Sequence, residues 1–416
     1  MHGAFERETN MNSTWMRNAL VMTATVWFAV TTVRAGGFEL PNQGAAGAGQ
    51  AEAFAAQADD PSAIYYNPAG IAQLQGTEVS AGIYALFPRF TFDADNGPDQ
   101  EMTLPSLLPQ FYAVSDLGTE NWRFGFGTDV AFGLNLDWGD QGPLSTIVTK
   151  AKLEVLNFAP TVAYKFDDHF FAGVALNVYY GDVDISRNAV LAPPPVPEGD
   201  FRVKGTDWAV GATPGLMWKI NDRNTLAAFY RSPFSMDFGG SARVNSTVIP
   251  EIGPYKSNVK IDFPQIIGAA YAFYPTKQWK LETDVVWTDW HTLKDVPLTS
   301  ANPEFNQTLP AHWLSGFSYR VGTQYDLNEH WVLRAGYAFG QAASPGSTFT
   351  PLIPDANYHL LTAGIGYRAK RWSLDAAYQF AFRENRHIEF ASDSPLINGT
   401  WENQIQTVML MLTVKL

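Results

Sequence analysis

Trp279-Lys280-Leu281-Glu282-Thr283-Asp284-Val285-Val286-Trp287 alternates its side chains with a period of two over most of its length. Successive side chains of a strand point to opposite faces. Trp279, Leu281, Thr283, Val285 and Trp287 therefore share one face, and Lys280, Glu282 and Asp284 the other. A tryptophan closes the apolar face at each end. Just before this stretch lies a short polar connector, Pro275–Gln278; just after it comes a long segment, 289–312, rich in Pro, Asn and Thr. A soluble sandwich turns the apolar face of such a strand inward. A membrane barrel turns it to lipid and lines its lumen with the charged face. Period two alone does not choose between them.

The pattern recurs in both directions. Trp122, Phe124 and Phe126 alternate with Arg123, Gly125 and Gly127. Phe317, Tyr319, Val321, Thr323 and Tyr325 alternate with Ser318, Arg320, Gly322 and Gln324. Trp372, Leu374, Ala376, Tyr378 and Phe380 share a face, as do Val408, Leu410, Leu412, Val414 and Leu416 at the end of the chain.

The connectors make the choice. Short polar turns recur at Asp116–Asn121, Asp167–His169, Ile220–Asn224, Pro275–Gln278, Asp326–His330 and Arg368–Arg371. Between them lie long Pro/Gly/Asn-rich segments at 88–107, 133–150, 181–206, 233–256, 289–312, 341–356 and 384–403. Short turns at one end, long loops at the other and aromatic girdles on the lipid face are the signature of an outer-membrane barrel. Seven long segments, each with one strand before and one after, give 14 strands. The expected fold is all-β: a 14-stranded antiparallel transmembrane β-barrel over residues 77–416.

Composition agrees. Charged residues are 17% of the chain, against roughly 25% in an ordinary soluble domain. Aromatics reach 14%, yet the mean hydropathy of −0.13 is not that of a helical membrane protein. A net charge of −13 gives no basic footprint for nucleic acid. With no cysteine, disulfide scaffolds, thiolate metal sites and cysteine nucleophiles are excluded.

The N-terminus reads as an export signal. Arg17 precedes an apolar run, Ala19–Val30, and a Val33-Arg34-Ala35 cleavage pattern follows. The run is too short to span a bilayer as a helix. Residues 1–35 are the expected signal peptide, and the bacterial outer membrane is the expected location. Residues 36–76 are Ala/Gly-rich with little alternation, too short to fold alone. They are either a periplasmic tail or a plug in the lumen. A 14-stranded barrel is wide enough to leak, which favours the plug.

Several motifs then point one way. Gly37-Phe38-Glu39-Leu40, Gly47-Ala48-Gly49-Gln50-Ala51, Ala58-Asp59-Asp60 and Asn67-Pro68-Ala69 follow one another in that order before the first strand. With Phe132-Gly133-Leu134, Tyr230-Arg231-Ser232, Trp331-x-x-Arg334-x-Gly336 and Ile353-Pro354-Asp355, the sequence resembles the FadL-type transporters of long-chain fatty acids and hydrocarbons. The resemblance implies a barrel plugged by an N-terminal hatch, 36–76, that carries the Asn67-Pro68-Ala69 motif and begins at Phe38. It implies a kink in the third strand at Phe132-Gly133, beside that motif, through which an apolar ligand leaves sideways into the membrane. The sequence departs from the family's usual residues at Gln50, Gly340, Gln341 and Leu416, and its Pro193-Pro194-Pro195 and Pro197 loop lacks an apolar helix.

The expected function is passive uptake of hydrophobic molecules, long-chain fatty acids first, with aromatic or alkane hydrocarbons as the alternative on the same fold. Arg334 shares a face with Gly336, and with Arg320 and Lys280 it is a candidate to hold a carboxylate by charge-assisted hydrogen bonds. A barrel enzyme is the competing class, but no nucleophile–base set or carboxylate pair stands out. Gly364-Ile365-Gly366-Tyr367-Arg368-Ala369 spells a dinucleotide fingerprint, yet it ends a strand with no helix to receive a pyrophosphate. His387-x-Glu389 lacks a second metal half-site. No cofactor, metal or nucleic acid is expected; the partners are the hydrophobic ligand, outer-membrane lipid and lipopolysaccharide, and the chain is expected to be a monomer.

Overall fold

The computed structural model describes residues 37–190, 198–246, 250–389 and 395–416. The expected signal peptide, and the prolines at 193–195 and 197, lie outside them. Fourteen strands close into one antiparallel barrel. They are β1 Thr77–Ala94, β2 Ser106–Ser115, β3 Trp122–Asp137, β4 Lys150–Lys165, β5 Phe170–Val190 and β6 Glu198–Asn221. β7 is Asn224–Arg231 continued as Phe234–Ser246, and β8 is Ile252–Phe263 continued as Ile266–Thr276. The rest are β9 Trp279–Thr288, β10 Gly316–Asp326, β11 Trp331–Gly340, β12 Tyr358–Arg368, β13 Trp372–Arg383 and β14 Gly399–Lys415. The ladder between β14 and β1 runs from Glu78↔Lys415 to Ala94↔Gly399 and joins the last strand to the first.

Burial is inverted relative to a soluble fold. On β9 the buried residues include Lys280, Glu282 and Asp284, while Trp279 and Val285 are exposed. The apolar face looks out to lipid and the charged face looks in. No helix among the described residues is long and apolar enough to cross a membrane.

Two segments expected to be long loops are instead strand. β5 and β6 stay paired up to Val190↔Glu198, so most of 181–206 is ladder. Within 233–256, Phe234–Ser246 pairs with Ile252–Phe263. These extensions carry Asp184, Arg202, Lys204, Gly239 and Gly240, the chemistry of a wet surface. The apolar side of the alternation turns inward there, with Val183, Phe201, Val203 and Phe238 buried, and the outward side is polar, while backbone pairing continues. A small hairpin in 289–312, Asp295–Ser300 with Gln307–Pro310, pairs onto β8.

The hatch enters from the short-turn rim, where Gly76 N donates to the Asp116 carboxylate at 2.7 Å. It folds back inside the barrel through two single-turn helices, Ala45–Ala48 and Ala63–Tyr66, and a 3-10 helix, Pro68–Gln73. Ile64, Ile71 and Leu74 pack it against Tyr112, Phe171 and Met217 of the wall, and barrel carboxylates hold its backbone. Asp284 accepts from the Phe54 and Ala55 amides at 3.3 and 3.2 Å, and Glu282 from those of Ala56 and Gln57 at 2.6 and 3.3 Å. Barrel glycines let its backbone approach closely. A Cβ on Gly336 would lie 2.3 Å from the Gln50 carbonyl carbon, and one on Gly215 2.1 Å from Asn67 Oδ1.

Candidate ligand cavity and wall window

Above the hatch the lumen holds a cavity of about 510 Å³. Leu86, Phe90, Leu108, Leu134, Leu136, Leu153, Leu360 and Ile405 give it apolar walls; Glu52, Arg320, Tyr358, Gln379 and Asn403 supply polar groups. Its floor is the first stretch of the hatch, Gly37 to Asn42.

That stretch is locked by aromatics. Phe38 sits among Trp290, Trp313, Phe263 and Phe132, with ring centroids 4.8, 5.6, 5.9 and 6.1 Å away. Gly37 has φ +92°, and a Cβ there would lie 2.6 Å from Trp290 and 2.8 Å from Trp313, so the position admits only glycine. Its N–H donates to Asp355 at 3.3 Å, which ties the Ile353-Pro354-Asp355 motif to the start of the hatch.

The third strand carries a register break beside Phe132-Gly133. The β3–β4 register skips Ala131, between Val130↔Leu156 and Phe132↔Val155. This bulge gives one extra residue and bends the strand. On its other side β3 pairs with β2 only from Ser115↔Phe124 to Phe111↔Thr128. Above that the two strands part, until Asn135 Nδ2 donates to Ser106 Oγ at 3.1 Å and closes the gap again. The hatch takes the missing place in the ladder. Leu40 N donates to Ala131 O at 3.0 Å and Gly133 N to Phe38 O at 2.9 Å, with a bridge between Glu39 and Phe132. Gln43 Nε2 satisfies Val130 O at 2.7 Å. The cavity reaches this window, since Ser106, Leu107, Gly133 and Asn135 line it.

The Asn67-Pro68-Ala69 motif is elsewhere, a correction to the expectation that it lies beside the kink. Asn67 caps the Pro68–Gln73 helix by accepting from Ala69 N at 3.2 Å, and it donates to Leu216 O of β6 at 3.1 Å. Gly173 on β5 is packed against Pro68. The triplet fixes the hatch to β5 and β6; Phe38–Leu40 is what meets the kink.

The three candidate cations part company. Arg334 points into the lumen as expected, but donates to Gln324 at 2.9 Å and pairs with Asp375 at 2.6 Å. Lys280 pairs with Glu282 at 2.8 Å and bonds Gln57 of the hatch. Neither lines the cavity; both hold the hatch and its seat. Arg320 does line it. Its guanidinium is buried, donates to Glu52 O at 3.3 Å, and has no carboxylate within ion-pair distance among the described residues. Sequence reasoning quoted Arg231 in the Tyr230-Arg231-Ser232 motif without giving it a role, and it pairs with Glu39 at 3.3 Å; it missed Glu52, which accepts from Gln379 at 2.7 Å and from Tyr66. Burial raises the Glu52 carboxyl to about 7, against the lowering effect of Tyr66, Arg320 and Gln379. The roles were not legible because Arg231 meets Glu39, and Glu52 meets Gln379, only once the barrel closes around the hatch.

The sequence profile of one family, "Outer membrane protein transport protein (OMPP1/FadL/TodX)", matches residues 26–415. The chain belongs to this OMPP1/FadL/TodX family. It is an outer-membrane transporter and not an enzyme. Among its relatives is the long-chain fatty acid transport protein of Salmonella typhi, 22% identical over 374 residues, 80% of this chain and 83% of that one. Among solved structures, a Pseudomonas aeruginosa FadL homologue superposes with a TM-score of 0.82 at 20% identity, covering 91% of this chain and all of that one. The Pseudomonas putida toluene transporter TodX gives 0.68 at 17% identity, over 86% and 94%. At these identities the superpositions establish the FadL/TodX fold, a plugged 14-stranded barrel.

Proposed function

We propose that this transporter takes up long-chain fatty acids. The ligand lies in the cavity with its carboxylate on Arg320 and leaves sideways through the window at Phe132-Gly133. The chain works as a monomer: a signal peptide at 1–35, a hatch at 36–76 and a barrel at 77–416. One observation carries the substrate class. A buried guanidinium with no carboxylate at ion-pair distance gains from an anion that completes it, and Arg320 is so placed, since Glu39, Glu52 and Asp284 act on it only from further off. The cavity volume lies within the roughly 300–1,000 Å³ of ordinary ligand pockets. A sideways exit spares the alkyl chain from periplasmic water, worth about 0.8 kcal/mol per methylene. The fatty acid transport protein among the relatives supports the same reading.

Hydrocarbon uptake is the second reading, favoured by the leucine-rich walls and by the toluene transporter among the structural neighbours. Binding of oleate and of toluene to purified protein separates the two. Under the fatty acid reading Arg320→Gln weakens oleate at least about tenfold, the loss of one charge-assisted contact, and leaves toluene unchanged. Equal affinities of wild type and Arg320→Gln for oleate would overturn it.

A further inference from the structure

The outer rim of the window is not uniformly apolar. Leu153 and Val155 pack into the lumen beside Phe38 and Phe132, so the intervening Lys152 and Glu154 lie on the outer face of β4. The ladders sort that face into rows. Val130, Leu156, Tyr180 and Trp208 form one row in register, with Tyr180 and Trp208 in ring contact at 4.9 Å. The next is Gly133, Glu154, Asp182 and Thr206, and the one after it Asn135, Lys152, Asp184 and Lys204. Below the Tyr180–Trp208 row the wall is apolar; above it the wall is charged. An aromatic row between apolar and charged bands marks the edge of the hydrocarbon layer. The window, bounded by Phe111↔Thr128 below and Asn135–Ser106 above, straddles that edge.

We propose that Lys152 receives the substrate's carboxylate at the window's upper lip while the alkyl chain passes through the apolar lower part, past Leu107, Pro109 and Val130. This rests on the fatty acid reading. Lys152 lines the same cavity as Arg320 from the opposite, outer side of the wall. Its ammonium donates to Glu154 at 3.0 Å and Asp182 at 3.3 Å, which leaves one of its three N–H groups for an incoming carboxylate. The surrounding cluster does not repel that anion: Lys152, Arg202 and Lys204 balance Glu154, Asp182 and Asp184. A compact charge on a flexible four-carbon stem reaches both the lumen side and the headgroup side of the lip. The window thus has the polarity of a single-headed amphiphile, and a neutral hydrocarbon makes no use of its upper half.

The test compares wild type with Lys152→Gln and Lys152→Arg, each verified as heat-modifiable and inserted. Uptake of radiolabelled oleate and of hexadecane is measured into cells, and oleate binding on purified protein in detergent. Lys152→Gln should lower oleate uptake about tenfold, as for one lost charge-assisted contact, with hexadecane uptake and equilibrium oleate binding unchanged. Lys152→Arg should restore it. Oleate uptake unaffected by Lys152→Gln, or oleate and hexadecane falling together, overturns this role alone. Failure of the wild type to bind oleate overturns the fatty acid reading, and this role with it.

Discussion

Removing the Glu282 carboxylate should unseat the hatch. Glu282 accepts the Ala56 and Gln57 amides and the Lys280 ammonium, and it is 2% exposed, as is Lys280. Glu282→Ala therefore deletes two charge-assisted hydrogen bonds to the hatch and strands a buried cation. Breaking a buried pair by removing one partner costs about 3–5 kcal/mol. The hydrogen bonds overlap with that figure, because all three contacts converge on one group. At 1.36 kcal/mol per decade, unseated hatch becomes roughly two hundred to five thousand times more populated. Single-channel recording in planar bilayers reads this directly: wild type is quiet, and Glu282→Ala shows frequent large openings. Lys280→Met combined with Glu282→Gln removes both charges yet keeps an acceptor for the two amides, and it should lie much closer to wild type. A correctly inserted Glu282→Ala barrel as quiet as wild type would refute the idea that this carboxylate holds the hatch.

Gly133→Arg should abolish uptake while leaving the barrel heat-modifiable. Any Cβ at this position lies 2.7 Å from Leu40 Cδ1, and the longer side chain fills the window; normal uptake by the inserted variant rules out the sideways exit. Hatch seating should weaken as pH rises from about 4.5 to 7. Burial raises the Glu52 pKa from 4.5 to about 7, so the seated state holds a proton that the unseated state gives up within this window, and stability falls there by up to about 3 kcal/mol before levelling off. Channel openings counted at pH 5 and pH 8 check this, and Glu52→Gln should reduce the difference, the remainder coming from Asp60 of the hatch, whose carboxyl burial also raises to about 7; a wild type indifferent to pH contradicts it.

The sequence by itself determined the wall. Whether a strand faces lipid is written in its own alternation, and which end of the barrel a turn occupies is written in its length, so Trp279–Trp287 and the six short connectors sufficed for 14 strands. These are local properties, set by a two-residue period and by neighbours in the chain. Phe38 and Phe132-Gly133 stood out only through the family resemblance, not through any local physical signal. What only the tertiary structure decided is which lumenal charge meets which partner. Asp284 caps amides 229 and 230 residues away, and Gln379 reaches Ala48 O across 331. In one dimension Arg320, Arg334 and Lys280 are alike, each a cation on the inward face of a strand. Closing the cylinder around the hatch gives two of them partners and leaves the third facing the cavity. The extended hairpins above the membrane were illegible for a complementary reason. There the apolar residues of the period, among them Val183, Phe201, Val203 and Phe238, turn into the lumen and the outward side is charged, so the alternation does not mark a lipid-facing strand and only backbone pairing with a distant partner reveals it.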